Sequence, residues 1–189
     1  MKIGAFDLEK DGVYIIAELS ANHNGDINNA LESIRVAKEI GADCIKLQTY
    51  TADTITLDCK KDDFKINHGT LWDGEYLYEL YKDASTPWDW HQELFDYARS
   101  IGIDIFSSPF DKTAVDFLDQ FSPSAYKIAS FEITDYELIR YTASKLKPII
   151  ISTGIATFDE IQDVVEICKS EGNNDIILLK CTSSYPASL

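Results

Sequence analysis

The lysines Lys46 and Lys127 each interrupt a short apolar segment and are each followed within three residues by a polar side chain, Gln48 and Ser130 respectively. Two ammonium groups surrounded by hydroxyls would form a receptor for a phosphate and a carboxylate. One lysine in a strand is more often a side chain that reaches out to solvent than a ligand. Two lysines at the ends of two strands favour a binding function, provided that the fold brings them together.

Polar residues also follow the other predicted strands. The carboxyl ends of the strands in a parallel barrel form one face, where residues far apart in sequence become neighbours. The serines among them could equally be helix caps, and a cap is compatible with a phosphate site. The strand-end residues are Glu18 with Asn22 and His23, Lys46 with Gln48 and Thr49, Ser107 with Ser108, Lys127 with Ser130 and Glu132, Ser152 with Thr153, and Thr182 with Ser183.

Glu18 ends an apolar segment, where a carboxylate needs either a cationic partner or a role in proton or metal chemistry. An ion pair with Lys46 is as well supported by the sequence as a catalytic role. His23 lies in a tight polar turn and could orient a substrate oxygen or simply hydrogen-bond to the backbone. One histidine does not make a metal site, and we assign no ligand role to His68 or His91.

The elements that must position these residues alternate between apolar segments and segments of helical periodicity, which predicts a parallel sheet. The predicted strands are residues 13–18, 43–49, 103–107, 125–128, 148–152 and 175–181. The predicted helices are residues 26–41, 87–100, 111–120, 134–145 and 157–170. The connection over residues 50–86 is long and rich in charged residues, and long loops in compact domains are usually functional.

An open doubly wound sheet and a (β/α)8 barrel both fit this alternation. Strands of an open sheet covered on both faces are apolar throughout, whereas residues 44–49 alternate and place Lys46 and Gln48 on one face. We therefore predict an α/β fold of the (β/α)8 TIM-barrel type. Such a barrel has eight units and about 250 residues. The 189 residues carry six units, so we expect residues 1–189 to be an N-terminal barrel domain that is incomplete or closes by association.

The composition limits the classes of function. A net charge of -15 disfavours nucleic acids and anionic membranes as partners, so an anionic substrate must be captured by local positive charge. No apolar run is long enough to cross a bilayer, and the N-terminus lacks the apolar block of a signal peptide. The four cysteines show no close pair and no zinc-type spacing, which is typical of reduced thiols. We expect a soluble cytoplasmic protein.

Six ordered motifs span the chain: AELSANHNG at 17–25, KLQT at 46–49, FSSPF at 106–110, YKIASFE at 126–132, ISTG at 151–154 and KCTSSYP at 180–186. Together they resemble the N-acetylneuraminate synthase family. The LSANH variant and the segments 50–57 and 71–74 look most like its pseudaminic acid synthase branch. The sialic and legionaminic acid synthases share the strand-end residues, so N-acetylneuraminate or legionaminate synthase is the alternative.

The resemblance implies a reaction and its requirements. Phosphoenolpyruvate would condense with open-chain 2,4-diacetamido-2,4,6-trideoxy-altrose, giving a nine-carbon sialic-acid-like sugar and phosphate. A divalent metal ion (Mn, Mg or Co) would activate the aldehyde, and the complete protein would be a homodimer. The family's metal-binding histidines and its antifreeze-like domain correspond to positions beyond Leu189, so the metal ligands are unknown.

The resemblance also assigns roles to individual residues. Glu18 and Lys127 are the candidate catalytic residues, and Glu18 would contact the metal-bound water or the reacting carbon, handle a proton or stabilise a cation. The predicted phosphoenolpyruvate ligands are Lys46, Ser108, Lys127, Ser130, Ser152 and Ser183. The predicted sugar ligands are Gln48, Glu132 and Tyr185.

Two other hypotheses remain open at the level of sequence. A Schiff-base aldolase would use Lys127 or Lys46 as its nucleophile, because lysines at barrel strand ends also serve that chemistry. The chain could instead be an inactive sugar-binding or anion-binding fragment.

Overall fold

A computed structural model describes residues 1–67 and 69–182. Six parallel strands form one sheet whose spatial order follows the chain order. A doubly wound sheet reverses its strand order at a switch point, whereas a barrel does not, so this order confirms the barrel-type prediction. The strands of the sheet are β3 Ile16–Glu18, β4 Cys44–Thr49, β5 Asp104–Pro109, β6 Tyr126–Ile128, β7 Ile149–Ser152 and β8 Ile176–Leu179.

The α-helices are α1 Ile27–Glu39, α2 Ala52–Ile55, α3 Leu77–Ala84, α4 His91–Ser100, α5 Lys112–Asp119, α6 Tyr136–Ala143 and α7 Phe158–Ser170. Short 3-10 helices occupy Asp62–Phe64, Trp88–Trp90 and Ser130–Glu132. Side chains cap the predicted helices as expected: Asp26 accepts a hydrogen bond at the start of α1, and Thr157 forms a capping box with Glu160. None of the helices in the described ranges is both long and apolar enough to cross a membrane.

The first predicted strand is shorter than residues 13–18, because pairing begins only at Ile16. Just before it, the N–H of Ile15 donates to the carboxylate of Asp43 at 2.7 Å and so does not join the sheet ladder. An antiparallel hairpin of β1 Lys2–Ile3 and β2 Phe6–Asp7 precedes this strand and was not predicted. The loop over residues 50–86 contains α2, α3 and one 3-10 helix.

Two apolar clusters hold the fold together. The larger lies between the outer surface of the sheet and the helices, where it includes Leu47, Phe95 and Ile128. The smaller lies inside the curl of the sheet and joins Ile3 of the hairpin to Cys44 and other residues near the amino ends of the strands. The hairpin therefore packs against the amino end of the sheet and leaves the carboxyl end open to a ligand.

The hairpin turn at Gly4 predicts a stability effect. Gly4 has φ +55°, and a Cβ atom there would lie 2.6 Å from Oδ2 of Asp104, which also accepts a 2.7 Å hydrogen bond from Tyr14. We expect Gly4→Ala to lower the free energy of unfolding by about 2 kcal/mol in urea titrations. Gly102→Ala is the matched control, because its φ is +71° and no described atom lies within 4 Å of the added Cβ. Equal losses in the two variants would show that the contact with Asp104 costs nothing.

Candidate active site

A cavity of about 650 Å³ opens at the carboxyl end of the strands. Its wall combines residues from all six strands of the sheet with residues that follow β3, β6, β7 and β8. Seven of the residues predicted for the site line it: Glu18, Lys46, Gln48, Ser108, Lys127, Ser130 and Ser152. The fold therefore brings together residues that come from five successive strands, β3 to β7, or directly follow one of them.

Lys127 is the most buried cation of this cavity, with 6% of its surface exposed. Its Nζ atom donates hydrogen bonds to the carbonyl oxygen of Ile128 and to Oγ of Ser152, both at 2.7 Å. Burial, followed by the positive charge of Lys46, lowers the pKa of Lys127 to about 8. An anion bound in the cavity would favour the charged form of this lysine.

Lys46 forms an ion pair with Glu18 and also donates to Oγ of Ser108 at 3.5 Å. The sheet register causes the pairing, since Glu18 of β3 lies directly opposite Lys46 of β4. The ion pair between Glu18 and Lys46, which was one of the two possibilities left open by the sequence, is therefore present. A role for Glu18 in proton transfer stays a prediction, but its carboxylate does lie on the cavity wall beside the ammonium group.

Alternation along β4 and β5 decides which side chains face the cavity. Lys46 and Gln48 share the inner face, as predicted, and Ser108 lies opposite Gln48 in the register. Thr49 and Ser107 point the other way, which corrects their grouping with the strand-end site residues. Oγ1 of Thr49 is 2.6 Å from Oγ of Ser107 and 2.8 Å from Nε2 of His91 in α4. This buried network joins the ends of the two strands to the outer helix.

The 3-10 turn after β6 carries two buried polar atoms without a partner. Oγ of Ser130 and Oε2 of Glu132 make no hydrogen bond within the described residues. Such groups cost about 1–3 kcal/mol when they are left unpaired, so a ligand that supplies partners would fit here. Burial raises the pKa of Glu132, and the charge of Lys127 opposes that shift. Ser130 lines the cavity, whereas Glu132 is not among the described residues of its wall.

Comparison with known proteins shows the family to which this chain belongs. The sequence model of the NeuB family matches residues 33–189. The chain belongs to the NeuB family. The resemblance inferred from the six motifs is thereby confirmed.

Relatives within the NeuB family span the whole chain. A pseudaminic acid synthase of Campylobacter jejuni subsp. jejuni serotype O:2 is 53% identical over 189 residues, which are 100% of this chain and 54% of that protein. A pseudaminic acid synthase of Helicobacter pylori is 55% identical over 175 residues, which cover 93% of this chain and 51% of that protein. The chain spans about half the length of the curated relatives that it matches.

A solved structure agrees with this membership of the NeuB family. The N-acetylneuraminic acid synthetase of Leptospira borgpetersenii serovar Hardjo-bovis, crystallised with citrate, superposes with a TM-score of 0.80 at 31% identity. The superposition covers 93% of this chain and 56% of that one. The likeness confirms the barrel-type α/β fold, of which the described residues form a six-stranded part.

Several residues of the cavity wall were not predicted from the sequence. Ser20, Phe131 and Cys181 line the cavity. Each lies within two residues of a predicted site residue, and this closeness in sequence is the signal that could have identified them. The thiol of Cys181 donates to the carbonyl oxygen of Leu179 at 3.7 Å, and all four cysteines are free, as predicted. The predicted ligands Ser183 and Tyr185 lie outside the described residues.

His23 makes the backbone contact that was one of the two roles the sequence left open, and its role in orienting a substrate oxygen stays a prediction. Its Nδ1 atom accepts a 3.1 Å hydrogen bond from the N–H of Gly25, and its ring packs edge-on against Trp90 at 5.4 Å. The residue is 1% exposed, and burial lowers its pKa. His23 therefore holds the loop after β3 in place by bonding to its backbone.

A divalent metal finds no ligand set in the part of the chain that the structure describes. No group of three or more histidine, cysteine or acidic side chains there is arranged to hold an ion. The described cavity wall contributes one carboxylate, Glu18, and this group is already paired with Lys46. These residues alone do not form the predicted metal site.

Proposed function

We propose that this NeuB family member condenses phosphoenolpyruvate with 2,4-diacetamido-2,4,6-trideoxy-altrose, releasing phosphate and forming a nine-carbon sialic-acid-like sugar. The single observation that supports it most strongly is that Lys46 and Lys127 converge on one cavity together with the hydroxyls of Ser108 and Ser152. Such a cluster suits a small molecule that carries a phosphate and a carboxylate. On a chain with a net charge of -15, a local pair of cations is needed to attract it.

The identity of the sugar is supported by the relatives. Proteins named pseudaminic acid synthase match at 53% and 55% identity, whereas the sialic acid synthetase structure matches at 31%. N-Acetylneuraminate and legionaminate synthesis are the alternatives within the same chemistry. Gln48, Glu132 and Tyr185 are the residues we assign to the sugar.

The reaction requires one bond to form before another breaks. The enol carbon of phosphoenolpyruvate attacks the aldehyde carbon, and the aldehyde oxygen gains a proton. Positive charge then develops at the enolpyruvate carbon that carries the phosphate. Water adds to that carbon and gives up one proton, and the carbon–oxygen bond to phosphate then breaks while the second proton of the water passes to the departing phosphate, which leaves a ketone. Lys46 and Lys127 hold the phosphate and carboxylate, and Glu18 stabilises the cation or accepts the proton of the water.

We also propose features that concern the complete protein. Residues 1–189 form its N-terminal barrel domain, and the whole acts as a cytoplasmic homodimer that uses a divalent metal (Mn, Mg or Co). When bound, such an ion would polarise the aldehyde. Its ligands are assigned to residues outside the described cavity, in line with the absence of a ligand set among the described residues.

A Schiff-base aldolase is the second candidate, because burial lowers the pKa of Lys127 to about 8. At pH 7 such an amine is neutral in about a tenth of the molecules, which allows nucleophilic attack on a carbonyl. Borohydride with a keto-acid carbonyl substrate such as pyruvate decides between the two, because the ketone of the donor is the group that forms an imine with the lysine. An irreversible adduct on Lys127 or Lys46 in mass spectrometry would establish the aldolase and refute the synthase.

The synthase hypothesis predicts that phosphate release depends on both phosphoenolpyruvate and the sugar. We expect the full-length gene product with added manganese to release one phosphate for each sugar formed. The present chain should be assayed beside it as the comparison. Phosphoenolpyruvate labelled with ¹⁸O at the bridging position should deliver its label to phosphate, because the carbon–oxygen bond breaks. Phosphate release that continues without the sugar would contradict the proposal.

A further inference from the structure

Ser20 has an unusual backbone conformation at the edge of the cavity. It follows β3, lines the cavity and has φ +50°, in the left-handed region that costs a residue other than glycine on the order of 1 kcal/mol. Its neighbours fix it there. Leu19 is buried and its N–H donates to the carbonyl oxygen of Lys46 at 3.0 Å, while the side-chain amide of Asn22 donates to the carbonyl oxygen of Leu19 at 2.8 Å.

The strained conformation directs the hydroxyl of Ser20 at Gln48. Oγ of Ser20 donates a 3.0 Å hydrogen bond to Oε1 of Gln48, and both residues line the cavity. A glutamine amide has one acceptor oxygen and an NH₂ group with two donors. Because Ser20 engages the oxygen, the NH₂ group is the part of Gln48 left to serve a ligand.

We propose that Ser20 is a positioning and specificity-determining residue, which orients Gln48 as a hydrogen-bond donor to an acceptor oxygen of the sugar. The carbonyl oxygen of an acetamido group has the matching chemistry. A sugar with a free amino group, which is protonated at neutral pH, would place its N–H donors against the NH₂ donors of Gln48 and would therefore bind poorly. This inference rests on the proposed function and adds the origin of its selectivity.

Two substitutions at Ser20 separate the effect of losing the hydroxyl from the effect of backbone strain. Ser20→Ala removes the hydroxyl and keeps the strained Cβ, whereas Ser20→Gly removes the hydroxyl and relieves the strain. In the full-length gene product we expect each to raise KM for the acetamido sugar about fivefold to tenfold, the equivalent of one hydrogen bond. KM for phosphoenolpyruvate should not change. The preference for the acetamido sugar over its free-amine analogue should fall by the same factor.

A double-mutant cycle with Gln48→Leu tests whether Ser20 acts through Gln48. In that background Ser20→Ala should have no further effect on the KM for the sugar. A loss that persists there, or equal losses for the sugar and phosphoenolpyruvate, would overturn the inference. If Ser20→Ala folds poorly, Ser20→Gly gives the same comparison without the strained side chain.

The wild-type protein distinguishes this inference from the proposed function. If the wild type releases no phosphate from phosphoenolpyruvate and the sugar, the proposed function fails. If it turns over and both Ser20 variants keep the wild-type KM for the sugar, only the role of Ser20 fails.

Discussion

Replacing Lys127 with alanine is expected to abolish measurable binding of phosphoenolpyruvate. The substitution removes a buried ammonium group that contacts Ser152 and has no substitute deeper in the described cavity wall. Charge-assisted hydrogen bonds contribute about 1.5–3 kcal/mol each, so losing those between Lys127 and phosphoenolpyruvate should weaken the affinity by at least about a hundredfold. Isothermal titration calorimetry measures this directly.

The same titration carries an internal test of the charge on Lys127. Because its pKa is about 8 in the free protein, binding phosphoenolpyruvate, an anion, near pH 8 should draw a proton onto the amine. Titrations in buffers of different ionisation enthalpy should show this proton uptake in the wild type and to the same extent in Lys169→Ala. Lys169→Ala is the control of equal charge change, since Lys169 is an exposed residue in the last turn of α7. Unchanged affinity in Lys127→Ala would refute the assignment.

Mild acid is expected to destabilise the fold through His91. This ring is fully buried, its Nε2 atom is 2.8 Å from Oγ1 of Thr49, and its Nδ1 atom is 3.2 Å from the carbonyl oxygen of Pro87. Burial lowers its pKa to about 4, against an ordinary value of 6.5. The unfolded chain therefore binds more protons between these values, and stability falls as the pH falls. The loss from pH 7 to pH 5 should be about 2 kcal/mol.

Urea unfolding at several pH values checks this effect. His23 shifts in the same direction, because burial lowers its pKa too. Burial raises the pKa values of Asp104 and Glu132. Their protonation at lower pH therefore favours the folded state and opposes the loss of stability caused by the two histidines. The comparison is therefore cleanest above pH 5. His91→Gln should be less stable than the wild type at pH 7 and should lose less stability toward pH 5. An identical slope in the two proteins would exclude His91 as the cause.

The starts of the helices and the inward face of β4 were predictable because they depend on local chemistry. Asp26 and Thr157 mark helix starts through caps that any helix needs, and the period of two along β4 places Lys46 and Gln48 on one face. The hairpin of β1 and β2 was missed, because strands of two residues are too short to show a periodicity.

The parts of the site that escaped prediction depend on long-range geometry. The pairing of Glu18 with Lys46 follows from the register of β3 against β4, which the sequence left as one of two possibilities. The left-handed conformation of Ser20 is imposed by contacts around Leu19, and no property of serine itself favours it. The orientation of Thr49 toward His91 could have been inferred from the same alternation that placed Gln48 inward.

A crystal structure with phosphoenolpyruvate bound is the most direct test of whether the two lysines bind one molecule that carries a phosphate and a carboxylate. We predict that the ligand lies at the carboxyl end of the sheet, with its phosphate and carboxylate oxygens within hydrogen-bonding distance of Nζ of Lys46 and Nζ of Lys127. A second cavity of about 450 Å³ near the amino ends of the strands is the alternative location, since Lys2, Arg99 and Lys147 line it together with the acidic residues Asp104 and Asp175. Phosphoenolpyruvate bound there, with the cavity of Lys46 and Lys127 left empty, would contradict the proposed function.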